Sequence, residues 1–427
     1  MRPTSQAGKK MPQLTNLTDK IEKHLPVKMV DFLKRVGKLA ICRGEKAYLV
    51  GGIVRDLLLD KTNIDIDLAI EGNATEFTKA LIKDKDCKTT FHKQFNTAKI
   101  TWYGYRVDLI STRLESYSRP GSLPTIQFGS INDDLFRRDF TINAMAVSLN
   151  PQSYGCLIDP YNGQKDLESR LIRVLHSKSF IDDSTRIWRG LRYEQRLDFQ
   201  LESETVSFLN RDLSMLDYIS GERIRYEVEC ILGEDLPEKV FQRAWELGVL
   251  NKLNPSLKAD DWLAKKYNDA RQMALPQKPP FDIYMALLTY NLTNKERNHF
   301  ISFLRLPKFS AQTIVDSNSI RTKLKELADN TLQTSSIYHS LSCYSPHAIQ
   351  VGIIVSESEE SRDNMRLYLD KLRFIKPLLN GSDLLGMGVP QGPCIKEMLN
   401  NLLNARLNRM VKTRRDEEAA VKQWMKN

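Results

Sequence analysis

The stretch AYLVGGIVRDLLLDKTNIDIDLAIEG (Ala47–Gly72) decides how the amino-terminal part of this chain folds. Ala47–Val50 is a short apolar run of strand length that stops at two glycines, Gly51 and Gly52. IVRDLLL (Ile53–Leu59) reads as a helix opening directly behind them. NIDIDLAI (Asn63–Ile70) alternates with a period of two. Ile64, Ile66, Leu68 and Ile70 are therefore expected on one packed face of a strand. Asp65 and Asp67 are expected on the other face, about 6–7 Å apart. Two acids on one strand face repel each other, and aspartate is a poor strand former. Either the strand is an exposed edge with solvated acids, or a pair of divalent cations compensates. Two oxygen-ligated cations can bridge such carboxylates and support an in-line phosphoryl displacement. Gly-Gly alone is a tight turn. Before a helix N-terminus it also lets backbone N–H groups approach a phosphate, and Arg55 in the first turn can add a bidentate charge. Strand, glycines, helix and a D-x-D strand in that order set a triphosphate cradle beside a metal site.

Outward from this stretch, Asn16–Ile41 has helical spacing, divided by Pro26. Thr75–Ile82 reads as a helix. KTTFHKQF (Lys88–Phe95), TAKITWYG (Thr97–Gly104) and YRVDLIST (Tyr105–Thr112) read as strands, so a mixed sheet is expected to end near Ser148. After about Asn150 the strand pattern stops. The rest reads as helical, punctuated at Leu275–Asp282 and Gly386–Pro393, with no repeat of fixed period. The expected architecture is an α+β head followed by a long all-α remainder.

Composition agrees with a folded, multi-domain chain. Its 427 residues suggest two to four domains, and 41% hydrophobic residues suffice for several cores. The net charge of +10 (63 Lys+Arg against 53 Asp+Glu) suits a protein that handles a polyanion. Six cysteines without a C-x-x-C pair read as reduced thiols, not a disulfide framework or zinc site. No apolar run reaches the roughly 18 residues of a membrane span. The polar first fifteen residues lack the centre of a secretory signal, so a cytoplasmic protein is expected.

VGGIVRDLLL followed by IDIDLAIEG resembles the head of the DNA polymerase β-type nucleotidyltransferase superfamily. More narrowly, it resembles the bacterial-type (class II) tRNA nucleotidyltransferases, the CCA-adding enzymes, and the related poly(A) polymerases. LFRRDFTINAMAV (Leu135–Val147), LIDPYNGQKDLESRLIRVL (Leu157–Leu175), FIDDSTRIWRGLRYEQRLDF (Phe180–Phe199) and SGERIRYEVECIL (Ser220–Leu232) continue the resemblance in order. GSDLLGMGVPQGPCIKEML near the end is similar to the tail of the bacterial enzymes. The resemblance implies a nucleotidyltransferase head followed by an all-α neck, body and tail. The corresponding spans are 1–30 (tail and helix start), 31–149 (head), 150–250 (neck), 251–380 (body) and 381–427 (tail, in contact with tRNA).

The resemblance also implies roles for individual residues. Asp65 and Asp67 hold two Mg²⁺ ions, and Gly51, Gly52, Arg55 and Arg138 steady the phosphates. Asp139 and Asn143 act around the ribose, where a carboxylate can sense the 2′-hydroxyl. Asp108 is either a third catalytic carboxylate or a structural residue. Arg186, Arg189, Arg192 and Arg196 recur every three or four residues, a stripe that is solvated by default. Asp183 and Arg186, three residues apart, can match the amine-plus-acceptor edge shared by cytosine and adenine. The resemblance gives them that task, with Arg189 and Arg192 near the nucleotide. The family usually has Glu where this chain has Asp182. The Pro/Gly-marked loop Ser111–Asp133 is not shortened, which favours full CCA addition. The basic run Ala405–Arg415 is either a solvated helix or an RNA contact. The expected activity is addition of C, C and A to tRNA from CTP and ATP. The alternatives are a poly(A) polymerase, a CC-adding or A-adding enzyme, and a non-catalytic RNA-binding protein.

Overall fold

The computed structural model describes residues 15–82, 87–92, 96–116 and 125–425. It divides into two compact units, Met1–Ile219 and Ser220–Asn427. The first unit opens with α1 (Thr18–His24) and α2 (Val27–Cys42), separated at Pro26 as its ring requires. The apolar face of α2 buries Met29, Phe32, Leu33 and Val36. At Gly37 a Cβ would stand 1.8 Å from the Leu149 carbonyl oxygen, so only glycine allows this approach.

A seven-stranded sheet follows. Its strands are β1 (Lys46–Val50), β2 (Ile66–Glu71), β3 (Lys88–His92), β4 (Thr97–Trp102) and β5 (Tyr105–Ser111), with β8 (Ala146–Ser148) and β9 (Leu157–Ile158). Strands β6 (Arg113–Ser116) and β7 (Thr125–Phe128) form a separate hairpin. The sheet order is β3-β4-β5-β2-β1-β8-β9. Only β2 and β5 run parallel in it, with Asp67 opposite Asp108.

Helix α3 (Gly52–Leu58) joins β1 to β2, and α4 (Ala74–Ile82) follows β2. Helix α5 (Ile131–Phe136) lies on the sheet, packing Ile131 and Leu135 against Tyr48, Val50 and Ala69. Beyond the sheet come α6 (Gly163–Glu168), α7 (Ser179–Asp182), α8 (Thr185–Leu197) and α9 (Ser203–Asp212), with a two-residue parallel pair, β10 (Leu171–Ile172) and β11 (Gln200–Leu201).

Three expectations need correction. The strand at the D-x-D motif begins at Ile66, so Asp65 precedes it, and Ile64 is 53% exposed instead of packed. Strands do not stop near Asn150, because β9 pairs with β8 beyond that point. The ends of the loop Ser111–Asp133 are hairpin strands; Arg119, Pro120, Gly121 and Pro124 lie outside the described residues. Two-residue strands carry too little alternation to be seen in a sequence.

Among its described residues the second unit contains thirteen α-helices, from α10 (Gly221–Leu232) to α22 (Arg414–Trp424), two short 3₁₀ helices and no strand. Its main core gathers Ile320, Ile337, Leu341, Ile349 and Met365. A smaller cluster near the end holds Leu379, Leu384, Leu402 and Val421. None of the six cysteines forms a disulfide. Among the described residues, no helix is long and apolar enough to cross a membrane.

Candidate active site

At the end of β1 the chain turns at Gly51 with φ +78, a conformation that disfavours any side chain. A Cβ there would sit 3.0 Å from Arg138 Nη1 and 3.4 Å from Asp67 Oδ2. The turn thus brings bare backbone beside one cation and one carboxylate. The guanidinium of Arg138 is anchored at one end, where Nη2 donates to Asp134 Oδ2 at 3.0 Å. Its buried Nε has no hydrogen-bond partner among the described residues. Asp134 is fully buried and also takes Arg137 at 2.6 Å. Burial alone would raise the Asp134 carboxyl, but Arg138 and Arg137 overcome it and hold the group below the usual range.

Asp67 lies in register with Asp108 across the parallel pair. Asp108 in turn is 3.2 Å from Lys99 Nζ on β4. Burial pushes Asp67 up to about 6, opposed by Arg138 and reinforced by the negative charges of Asp65 and Asp108. The three carboxylates therefore share one electrostatic environment. A cation placed among them would favour the ionised form that burial disfavours, and an all-oxygen donor set suits a hard divalent ion. Among the described residues, no three His, Cys, Asp or Glu side chains converge as a ready-made metal cage. One or two carboxylates completed by water and substrate phosphates is the pattern that Mg²⁺-type sites use. The residues present fit such an ion.

Behind this edge lies a second group of charges. Asp139 is 7% exposed and receives Arg189 through Nε at 2.9 Å and Nη2 at 2.6 Å. Its other oxygen accepts from Asn143 Nδ2 at 3.1 Å and from the Phe140 N–H at 2.8 Å. Burial alone would raise its pKa. Arg189, Asn143 and Arg186 overcome that and bring it down to about 2. Asn143 Oδ1 accepts from Arg55 Nη1 at 2.9 Å, and Arg55 Nε donates to Asp56 at 2.8 Å. Arg55 is 3% exposed, so its guanidinium belongs to this buried network, with Nη2 3.5 Å from where a Cβ on Gly52 would stand.

Helix α8 begins at Thr185, which leaves Asp183 just ahead of it. Asp183 Oδ1 accepts from the Thr185 N–H at 3.1 Å and its hydroxyl at 2.7 Å. Arg186 is buried and donates to Ser179 Oγ at 2.8 Å and to the Arg137 carbonyl at 2.7 Å. The arginine stripe is thus not a solvated face: Arg186 and Arg192 are buried, and Arg196 is the exposed member. The guanidiniums of Arg55, Arg189 and Arg192 lie 5.4, 5.7 and 5.1 Å from the ring centre of Tyr193. Such contacts add cation–π attraction to the hydrogen bonds. In the second unit, the basic run Ala405–Arg415 is partly neutralised, Arg406 by buried Glu417 and Arg414 by Asp383 and Glu418.

Of the expected residues, the fold brings Gly51, Asp67, Asp108 and Arg138 to one edge. It joins Arg55, Asn143, Asp139 and Arg189 in one network. Gly52 opens α3 between the two groups. Sequence reasoning did not single out Asp56, Asn63, Asp134 or Tyr193. Asp56 and Tyr193 directly follow Arg55 and Arg192, and Asp134 precedes Arg138 at helical spacing; those were the available signals.

Residues 47–173 match the poly A polymerase head domain family. Residues 198–261 match a family described as a probable RNA and SrmB-binding site of polymerase A. An A-adding tRNA nucleotidyltransferase of Geobacter sulfurreducens is 34% identical over 414 residues, covering 93% of this chain and 47% of that protein. This chain therefore spans about half the length of that relative. An A-adding tRNA nucleotidyltransferase of Halalkalibacterium halodurans is 32% identical over 395 residues, covering 90% of each. The solved apo structure (form II) of a CCA-adding enzyme superposes with a TM-score of 0.83 at 29% identity, covering 96% of this chain and 99% of that one.

Proposed function

We infer that this protein transfers nucleotides to the 3′ end of tRNA, starting from the premise that the chain belongs to the tRNA nucleotidyltransferases with a poly A polymerase head domain. The observation that carries the reading is the carboxylate edge. Asp67 faces Asp108 in register, with Arg138 Nη1 and Asp67 Oδ2 both closing on Gly51.

In this reading Asp65 and Asp67 hold divalent ions, Mg²⁺ in our proposal, which supply activation of the primer hydroxyl and neutralisation of phosphate charge. Arg138, free at Nε and pinned at Nη2, steadies the triphosphate. The absence of a side chain at Gly51 and Gly52 lets backbone N–H groups approach the phosphates. Asp139, ionised at any ordinary pH, accepts from the ribose 2′-hydroxyl, and Asn143 holds it in place. Asp183 and Arg186 read the amine-plus-acceptor edge of the base, with Arg189 and Arg192 lining the nucleotide. Asp108, paired with Lys99 and in register with Asp67, adds a third carboxylate beside the ions.

For the nucleotide added, we favour ATP and the terminal A. The two A-adding relatives, at 34% and 32% identity, support this. Full CCA addition from CTP and ATP is the second reading, favoured by the 0.83 TM-score to a CCA-adding enzyme and by the unshortened loop Ser111–Asp133. The test uses two tRNAs, one lacking CCA and one ending in CC, each with CTP, ATP or both. A single A added only to the CC-ended tRNA supports the first reading. C added to the shorter tRNA supports the second. Long A tracts mean a poly(A) polymerase, and tRNA binding without incorporation means a non-catalytic protein.

A further inference from the structure

We propose that Asn63 and Asp56 are positioning residues that tie the backbone at Asp65, and so the placement of its side chain, to the helix bearing Arg189. The proposal rests on the reading above, in which Asp65 and Asp67 hold a divalent ion.

Asp65 precedes the first residue of β2, and the β2–β5 register starts at Ile66. The sheet ladder therefore does not fix it. Its N–H donates instead to Asn63 Oδ1 at 2.8 Å. The same Asn63 side chain donates from Nδ2 to Asp56 Oδ2 at 2.7 Å. From Asp56 the bonds run on through Arg55, Asn143 and Asp139 to Arg189. Every link measures 2.6–3.1 Å. Lys61, Thr62, Ile64 and Asp65 are exposed, whereas Asn63 is half-buried, turned in toward Asp56.

The residue type follows from the double duty. A carboxamide offers one acceptor and two donors on one rigid plane. Aspartate could accept from Asp65 but would set a second carboxylate against Asp56. Serine could not span both partners. A segment that had only to turn would not need an amide reaching a carboxylate that is 7% exposed. The buried charges of Arg55, Asp56 and Asp139 are each satisfied by the next group in line. Such a network holds its end positions well when complete and poorly when broken. Outer groups that orient metal ligands typically change metal affinity or activity by about 10–100-fold when removed.

The test compares full-length wild type with Asn63→Ala and Asn63→Asp. Three readouts are taken: Mn²⁺ affinity by calorimetry without nucleotide, kcat and nucleotide KM for transfer, and the thermal midpoint. Asn63→Asp keeps the acceptor for Asp65 and breaks the link to Asp56. Its added negative charge by itself would tighten cation binding, so weakening reports the lost link. Both variants are expected to bind Mn²⁺ about 10–100-fold more weakly and to lose kcat in proportion. Nucleotide KM, read at saturating Mn²⁺, should stay within about threefold, because Asn63 itself is assigned no contact with base or phosphate. If Asn63→Ala fails to fold, Asn63→Asp carries the test. Wild-type Mn²⁺ affinity and kcat in Asn63→Asp overturn the proposal, as does a fall in thermal midpoint alone. Wild-type protein that binds no Mn²⁺ overturns the metal reading and this inference together. Wild-type protein that binds Mn²⁺ and transfers nucleotides, with both variants matching it, overturns this inference alone.

Discussion

In Met1–Ile219, the buried charges of Arg55, Asp56 and Asp139 are bonded in one line with Asn143, and Arg55 meets Asn143 across 88 residues of chain. In Ser220–Asn427, the buried charges Glu417, Asp316 and Arg297 bond to backbone groups, although Glu417 also pairs with Arg406. Glu417 accepts from the N–H groups of Leu378 and Leu379, and Asp316 from that of Ser345. Arg297 donates to the Leu292 carbonyl. Helix and turn ends need such partners in any helical fold. Buried charges bonded to other charges are different, because apolar side chains of similar volume would stabilise as well or better. In the proposed function, the first unit keeps them where nucleotide transfer needs charge at fixed positions. The second unit derives its stability from apolar helix packing.

This contrast is breakable. With Asp67 holding the ions as proposed, Asp67→Ala should reduce nucleotide transfer by about 10³-fold or more, since those ions would stabilise the transferring phosphate. The thermal midpoint should not fall, because burial and two neighbouring carboxylates already disfavour the Asp67 charge. A clear drop on calorimetry would make the carboxylate edge structural. Leu341→Ala in the second unit should do the opposite. Loss of this fully buried side chain should cost about 2–5 kcal/mol in urea unfolding, with transfer per folded molecule unchanged.

Asp139→Asn sharpens the comparison through pH. The folded pKa of about 2 lies below the usual carboxylate value. Its stabilisation is therefore complete above about pH 4 and is lost as pH falls toward the folded value. The substitution should remove about 2 kcal/mol at neutral pH and flatten the acid limb of stability between about pH 4 and 2. Thr413→Ala should have the smallest effect. The Thr413 hydroxyl and Asp416 form a capping box at the start of α22, and its loss should cost about 1 kcal/mol without altering that pH profile.

Local text was legible where a short range of residues carries the physics. The split at Pro26, the strand-glycine-helix order at Val50–Ile53 and the strands through Asp108 follow from pattern alone. The candidate site was legible as residue types, not as contacts. Asp65 read as a strand residue because I-D-I-D-L alternates. The structure starts the strand one residue later, and Asn63 takes the Asp65 N–H. The α8 arginines read as a solvated stripe because their partners are remote. Arg189 meets Asp139 fifty positions away, and Arg186 meets the Arg137 carbonyl at forty-nine. Helical spacing reports which side chains share a face, but it says nothing of what that face meets.

By itself, the sequence determined the kinds of element and the inventory of charge: a strand turned by glycines, paired acids, a helix rich in arginine and a long helical remainder. Those are local properties, set by backbone sterics and by the period of apolar side chains. Only the tertiary structure decided which charges are buried, which acid answers which arginine, and that Asp67 rises toward neutrality while Asp139 drops to about 2. Burial and Coulomb attraction depend on distance in space, and folding brings residues fifty or more positions apart within hydrogen-bonding range.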